Sequence, residues 1–249
     1  KAGLDGCCCR CPLMKKLKNW DNKTWLSSKS YISQFSKFLK TKINLNKNSK
    51  ILDIGCGRAN IISYLQKKYR FDKKAIGVDI VKNKETKKNI IFKKIDAIQY
   101  LRKTNILFDI ILVKQTIHFF KIKELNELIN LIKKRLAPNG VVLIFSLKIN
   151  HNELPAFRAM KKKLDKSLVR DKYLIKIIKK KFVKYKMSCF KFKVTISRKE
   201  YTDMLKKRYI SCLLNLSKKQ IEKGIHEINL KFKKKIIFND VLECLIYKN

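Results

Sequence analysis

The residues best placed to do chemistry lie within nine positions, Ile51-Leu-Asp53-Ile-Gly55-Cys-Gly57-Arg-Ala59. An apolar run carries an acid into a turn with two glycines, and a helix-compatible stretch follows. Glycine reaches φ > 0 without strain and leaves no Cβ between backbone and ligand. The helix beyond would aim free N–H groups and the positive end of its dipole at the same point. Such a turn can cradle a nucleotide-like ligand. A dinucleotide fold needs G-x-G-x-x-G here, and Asn60 stands where the last glycine belongs.

Two more acids extend the pattern. Asp79 closes the apolar run Ala75-Ile-Gly-Val-Asp79-Ile80, 22 residues after Gly57. A carboxylate there can accept hydrogen bonds from both ribose hydroxyls. Asp96 closes a third run, where it can accept from an adenine amino group while Ala97 offers its N–H. Each acid alone reads equally well as a helix N-cap. At successive strand ends they outline a nucleoside, because open α/β sheets bind ligands outside the carboxyl ends of their strands.

These placements need strands to hold them. Apolar runs predict strands at 50–54, 75–80, 89–95, 108–113 and 141–147. Helical spacing predicts helices at 60–69, 98–103 and 123–136 between them, and an amphipathic helix at 20–40 ahead. Beyond 147 the rhythm changes to a lysine-laden helix over 151–181 and a strand at 189–196. Capping boxes at Ser197–Glu200 and Ser217–Gln220 start two helices, and a closing strand at 236–247 should lie at or near the sheet edge. The expected fold is α/β: a Rossmann-like, doubly wound, mostly parallel seven-stranded sheet with helices on both faces and a helical cap.

The pattern Asp53-x-Gly55-x-Gly57-x-Ala59 resembles motif I, (D/E)-x-G-x-G-x-G, of class I S-adenosylmethionine (SAM) methyltransferases. Ala59 replaces the last glycine, a departure of one methyl group. The resemblance runs from about residue 42 to 147, and Ala137-Pro-Asn-Gly140 looks like the family's turn before strand five. It implies that Asp53, Gly55, Cys56 and Gly57 hold the methionine end of SAM. Asp79 and Ile80 would hold the ribose, and Asp96 and Ala97 the adenine. Gln115 and Trp25 complete the implied cofactor set, Trp25 from an N-terminal segment folded over SAM. The product would be S-adenosylhomocysteine (SAH).

Strand four and its sequel, Phe108 to Phe120 with His118, resemble the small-molecule group that includes trans-aconitate methyltransferase. Neither the (D/N/S)-P-P-(Y/F/W) motif of nucleic-acid amino-methyltransferases nor a Pro-Cys nucleophile is present. The resemblance therefore implies methyl transfer to a small molecule, with a carboxylic acid one such acceptor. His118 is the candidate general base, or else a packing residue beneath the cofactor. Tyr31, Arg158, Arg208 and Tyr209 are candidates for an anionic acceptor. Rival readings are an RNA or protein methyltransferase and a SAM-binding module without catalysis.

The chain carries 61 basic and 19 acidic residues, a net charge of +42, which by itself points to nucleic acid. Only nine of the basic residues are arginine, the side chain suited to bidentate recognition, and the lysines spread over the whole length. We read them as solvated surface that adheres to polyanions nonspecifically. Cys56, Cys189, Cys212 and Cys244 are isolated, as in a reducing cytoplasm. Cys7, Cys8, Cys9 and Cys11 lack a second pair at zinc spacing, so no metal is expected. Met14 reads as the natural start, making 1–13 a non-native or disordered leader before one domain over 14–249. Within it we expect a helical segment to 41, a SAM-binding core over 42–148, a helical cap over 149–185, and sheet-completing elements thereafter. The longest apolar run is too short to span a bilayer, which predicts a soluble protein; a monomer or homodimer is expected.

Overall fold

Short β-branched runs form a parallel core in this computed structural model, which describes residues 24–249. Its strands are β1 (Ile51–Ile54), β2 (Ile76–Asp79), β3 (Ile91–Lys94), β4 (Phe108–Lys114) and β5 (Leu136–Leu147). Two antiparallel strands, β6 (Tyr185–Ser197) and β7 (Lys235–Lys248), complete seven in the order β3-β2-β1-β4-β5-β7-β6. The winding reverses between β1 and β4, and that switch point opens a crevice at their carboxyl ends. The expected doubly wound sheet is present. The closing strand β7 lies one place in from the edge, because β6 pairs with its outer side from Tyr185 to Ser197. Edge strand β6 exposes Lys186, Lys191 and Lys193, charges that discourage pairing with another chain.

Alternating side chains of the strands feed two cores. One face packs against α1 (Lys29–Lys40), α2 (Asn60–Tyr69), α6 (Arg198–Lys206) and α7 (Lys218–Lys231), through Phe35, Leu39, Leu65, Leu205 and Ile228. The other packs against α3 (Ala97–Lys103), α4 (Ile122–Arg135) and α5 (Arg158–Lys181), through Leu101, Leu128, Ile132, Leu174 and Ile178. The middle of α5, from Leu164 to Leu174, reaches the crevice. Its later turns also pack into the core through Leu174, Ile175 and Ile178.

Two local outcomes differ from the sequence expectation. The N-terminal helix starts at Lys29, where Ser28 Oγ accepts from Tyr31 N at 3.2 Å, and Trp25–Ser27 forms a separate 3-10 turn. The remainder of that expected helix, the leader and its cysteines lie outside the described residues. The stretch 137–140 belongs to β5, with Asn139 at φ +61° absorbing an irregular register against β4. The boxes at Ser197 and Ser217 both form, each serine oxygen accepting from the backbone N–H three residues on. No helix among the described residues is long and apolar enough to cross a membrane.

Candidate active site

The turn after β1 is held by its neighbour: Gly55 N and Cys56 N donate to Val78 O at 2.9 and 3.2 Å. Its two glycines serve different ends. A Cβ on Gly55 (φ +71°) would fall 2.2 Å from Thr116 Oγ1, so that glycine makes room for the protein itself. A Cβ on Gly57 (φ +54°) would meet nothing within 4 Å, so its bare Cα faces open space. Ala59 caps α2 at φ +59° with no side-chain hydrogen bond, leaving the helix N–H groups for a ligand. That left-handed alanine makes the missing glycine more than a matter of one methyl, since the conformation costs an L-residue about 1–2 kcal/mol.

Both nucleoside acids are locked to backbone. Asp79 Oδ2 accepts from Gly57 N and Oδ1 from Val81 N, each at 2.9 Å. Asp96 Oδ1 accepts from Ile98 N at 2.9 Å and Gln99 N at 3.3 Å, capping α3. A carboxylate has about four lone-pair sites, so both can accept further hydrogen bonds. The cap reading and the ligand reading are compatible.

One cavity of about 1520 Å³ runs from these acids, across the ends of β1 and β4, to β7. All ten residues expected for the cofactor line it, Trp25 and Gln115 included. The open space over Gly57, the uncapped helix and the two fixed carboxylates fit a nucleoside with a polar tail. Asp53 is buried among them, and burial lifts its carboxyl from the usual range to about 7, with Lys114 opposing and Asp79 reinforcing the shift.

The acceptor candidates fare differently. Tyr209 lines the cavity, although its hydroxyl is engaged with that of Tyr201 at 3.0 Å. Tyr31 is fully buried below the cavity floor, packed against Phe35, Phe190 and Phe192. Arg158 lies exposed at the start of α5, away from the cavity. Arg208 faces elsewhere and donates to Leu216 O at 2.9 Å. Arg158 lies off the buried face that Phe157, Met160 and Leu164 mark, and Arg208 sits in the turn after α6.

His118 lines the cavity from the 3-10 turn Ile117–Phe119, but its Nε2 is shielded and unpartnered among the described residues. Burial, helped by Arg170, lowers its pKa to about 4. It is therefore a neutral imidazole at physiological pH, not the near-neutral base its residue type suggests.

Three functional candidates escape sequence reasoning. Lys114 ends β4 with its ammonium 3.1 Å from Gln115 Oε1 and 5.3 Å above the Tyr31 ring. Arg58, 3% exposed, lies 3.7 Å from Glu85 beside the glycine turn. Asp240 is buried on β7, where Trp25 Nε1 donates to its Oδ2 at 2.9 Å. A signal for Asp240 exists: it takes an inward place in the alternation Ile236, Phe238, Asp240, Leu242, Cys244.

A family model described as a methyltransferase domain matches residues 27–169, more than half of the chain. This protein belongs to that methyltransferase family. The methyltransferase resembles a proposed methyltransferase from an antibiotic biosynthesis pathway of Anabaena variabilis, at 13% identity and TM-score 0.62. That likeness covers 86% of this chain and 96% of the other. A SAM-dependent methyltransferase of Geobacter sulfurreducens, solved with SAH, is 10% identical over 93% of this chain and 96% of its own, TM-score 0.55. The plantazolicin methyltransferase BamL, solved with a triazolic desmethylPZN analog and SAH, is 17% identical over 95% and 90%, TM-score 0.53. At such identities these likenesses show the fold alone. A search of curated proteins finds no match.

Proposed function

We propose that this methyltransferase transfers the methyl group of SAM to a small-molecule acceptor bound in the same cavity. When bound, SAM supplies an electrophilic methyl carbon on a sulfonium centre. Asp79, Asp96 and Ala97 would hold its nucleoside, and Asp53 with the Gly57 turn its methionine end. One observation carries the reading: a continuous space of about 1520 Å³ joins that cradle to Trp25, Tyr209 and Asp240. Pockets for single ligands span about 300–1,000 Å³, so this one has room for cofactor and acceptor together. The protein's part is then to align nucleophile and methyl carbon in a water-poor cleft.

The resemblance of Phe108 to Phe120 to the small-molecule group that includes trans-aconitate methyltransferase supports this reading. The carboxylic-acid acceptor loses support, since neither Arg158 nor Arg208 lines the cavity. A single domain over 14–249 and a cytoplasmic location belong to the same proposal; the free cysteines Cys56, Cys189, Cys212 and Cys244 support the latter. The net charge of +42 favours the rival, an RNA substrate.

Saturating SAH, at about 100 times its dissociation constant, is expected to stabilise the fold by about 2.7 kcal/mol. In a protein this size that raises Tm by roughly 5–10 °C. No shift at millimolar SAH would sink the assignment. Labelled SAM incubated with a metabolite extract and, separately, with RNA then tells the acceptors apart, and label entering RNA alone would favour the rival.

Asp53 adds a pH dependence. Its carboxyl is raised to about 7, so it is largely protonated in the free protein below that pH. An ammonium group on the ligand favours the ionised form, and binding must expel the proton. Affinity for SAH is therefore expected to fall up to about tenfold per unit as pH drops from 7 toward 5. The stability of the free protein moves the other way: a raised acid disfavours the fold as pH climbs from about 4 to 7. Calorimetry across that range checks both, and an Asp53→Asn variant with an equally steep binding profile would exclude Asp53 as the cause.

A further inference from the structure

The acceptor end of the cavity holds a buried carboxylate with aromatic walls. Asp240 is 4% exposed and lines the cavity beside Trp25, Tyr209, Leu147 and Leu154. Trp25 occupies its Oδ2, while Oδ1 has no hydrogen-bond partner among the described residues. The indole packs edge-on against Tyr209 and Phe238, with centroids 5.3 and 5.2 Å away, which fixes both the ring and the carboxylate it holds.

A buried carboxylate needs a cation or several donors. Among the described residues, Lys114 is the cation whose field acts on Asp240, and it acts on Asp53 as well. Its ammonium is also engaged with Gln115 Oε1 and lies over the Tyr31 and Phe35 rings, at 5.3 and 5.8 Å. One lysine thus acts on two acids, and Asp240 Oδ1 keeps room for a further cation or donor. A carboxylate acceptor would be repelled there. A protonated amine would supply the missing charge, and aromatic rings beside a carboxylate favour a cation further.

We infer that the acceptor is an amine on an apolar body, that Asp240 recognises its ammonium group, and that methylation falls on nitrogen. The inference rests on the reading of the site as a SAM methyltransferase. The ammonium passes one proton to Asp240 Oδ1, which frees the nitrogen lone pair. That pair forms the N–C bond to the methyl carbon as the C–S bond breaks, its electrons remaining on sulfur as SAH forms. Asp240 then loses the proton to solvent, and the product leaves as a methylated ammonium. The leucines and Tyr209 would hold the apolar body.

The test uses the whole chain with three matched probes: phenethylamine, phenethyl alcohol and hydrocinnamate. Binding of each to the SAH-bound protein is measured by calorimetry, and turnover with SAM by SAH release. The amine is expected to bind at least about tenfold more tightly than the other two and to be the one methylated. Asp240→Asn keeps an oxygen for Trp25, so a purely structural Asp240 would leave amine binding unchanged. Recognition by charge instead predicts a loss of about 30-fold, within the range of a charge-assisted hydrogen bond, with SAH affinity altered less than about twofold. Preference for hydrocinnamate or the alcohol, equal amine binding by Asp240→Asn, or binding of none of the probes would overturn the inference. Failure of the unaltered protein to bind SAH would instead bring down the underlying assignment.

Discussion

Asp79→Ala is expected to weaken SAH binding by at least about 100-fold, the cost of two hydrogen bonds to a charged group at about 1.5 kcal/mol each. Asp79 is a hinge between two parts of the site. Its Oδ2 fixes Gly57 N and its Oδ1 fixes Val81 N, so the methyl side chain of alanine frees both backbone segments. The acceptors for the ribose hydroxyls disappear at the same time. Asp79→Asn keeps one oxygen and replaces the other with a donor, so a loss of about tenfold is expected from one such bond. A further readout follows from electrostatics. Asp79 is among the causes that raise the Asp53 carboxyl, so its removal should move the pH midpoint of SAH binding down. Calorimetry over pH 5–8 reads both effects, and unchanged affinity in Asp79→Ala would refute this cofactor site.

The parallel core and the cofactor cradle were legible because they obey local rules. The first three strands run into an acid or glycine where the apolar run stops, so Asp53, Asp79 and Asp96 could be placed from spacing alone. Capping boxes at Ser197 and Ser217 were equally local, and both form. The acceptor end was not legible, because it is assembled from distant segments. Trp25 and Asp240 stand 215 residues apart and meet only because β7 inserts between β5 and β6. Arg158 and Arg208 do not line the cavity, because residue type says what a side chain can do, not which way its segment turns it. His118 shows the same limit, since burial took its pKa away from the value that made it attractive.

The net charge of +42 also takes on a different meaning in three dimensions. Among the described residues, six of the 19 acids, Asp53, Asp79, Asp96, Glu124, Asp171 and Asp240, line this cavity, and so do six of the 61 bases, Arg58, Lys114, Lys121, Lys123, Lys166 and Arg170. The cavity lining is thus balanced in charge, whereas the chain as a whole carries about three bases for each acid. Local composition decides ligand charge there, because exposed lysines beyond a Debye length of about 8 Å are largely screened at physiological salt.

The turn itself separates folding from binding, and two alanine substitutions should show it. Gly55→Ala drives a Cβ to 2.2 Å from Thr116 Oγ1 and 2.5 Å from its Cγ2. Thr116 cannot swing freely, because its Oγ1 donates to Lys114 O at 2.9 Å. Overpacking of this kind costs about 1–3 kcal/mol, and the left-handed φ of +71° adds about 1–2 kcal/mol. Gly55→Ala is therefore expected to lower Tm by roughly 5–15 °C. Adding Thr116→Ala should restore part of that loss, leaving the contact with its Cβ at 2.9 Å. Gly57→Ala meets no protein atom within 4 Å, so its cost to the free fold is the backbone term alone. Its methyl group would instead occupy the space over the bare turn, and SAH affinity should fall by at least about tenfold, or 1.4 kcal/mol. Thermal melts with and without SAH distinguish the two: Gly55→Ala lowers the baseline Tm, while Gly57→Ala mainly abolishes the rise on adding ligand. A Gly57→Ala protein that still binds SAH as tightly as the original would mean that no ligand lies against this turn.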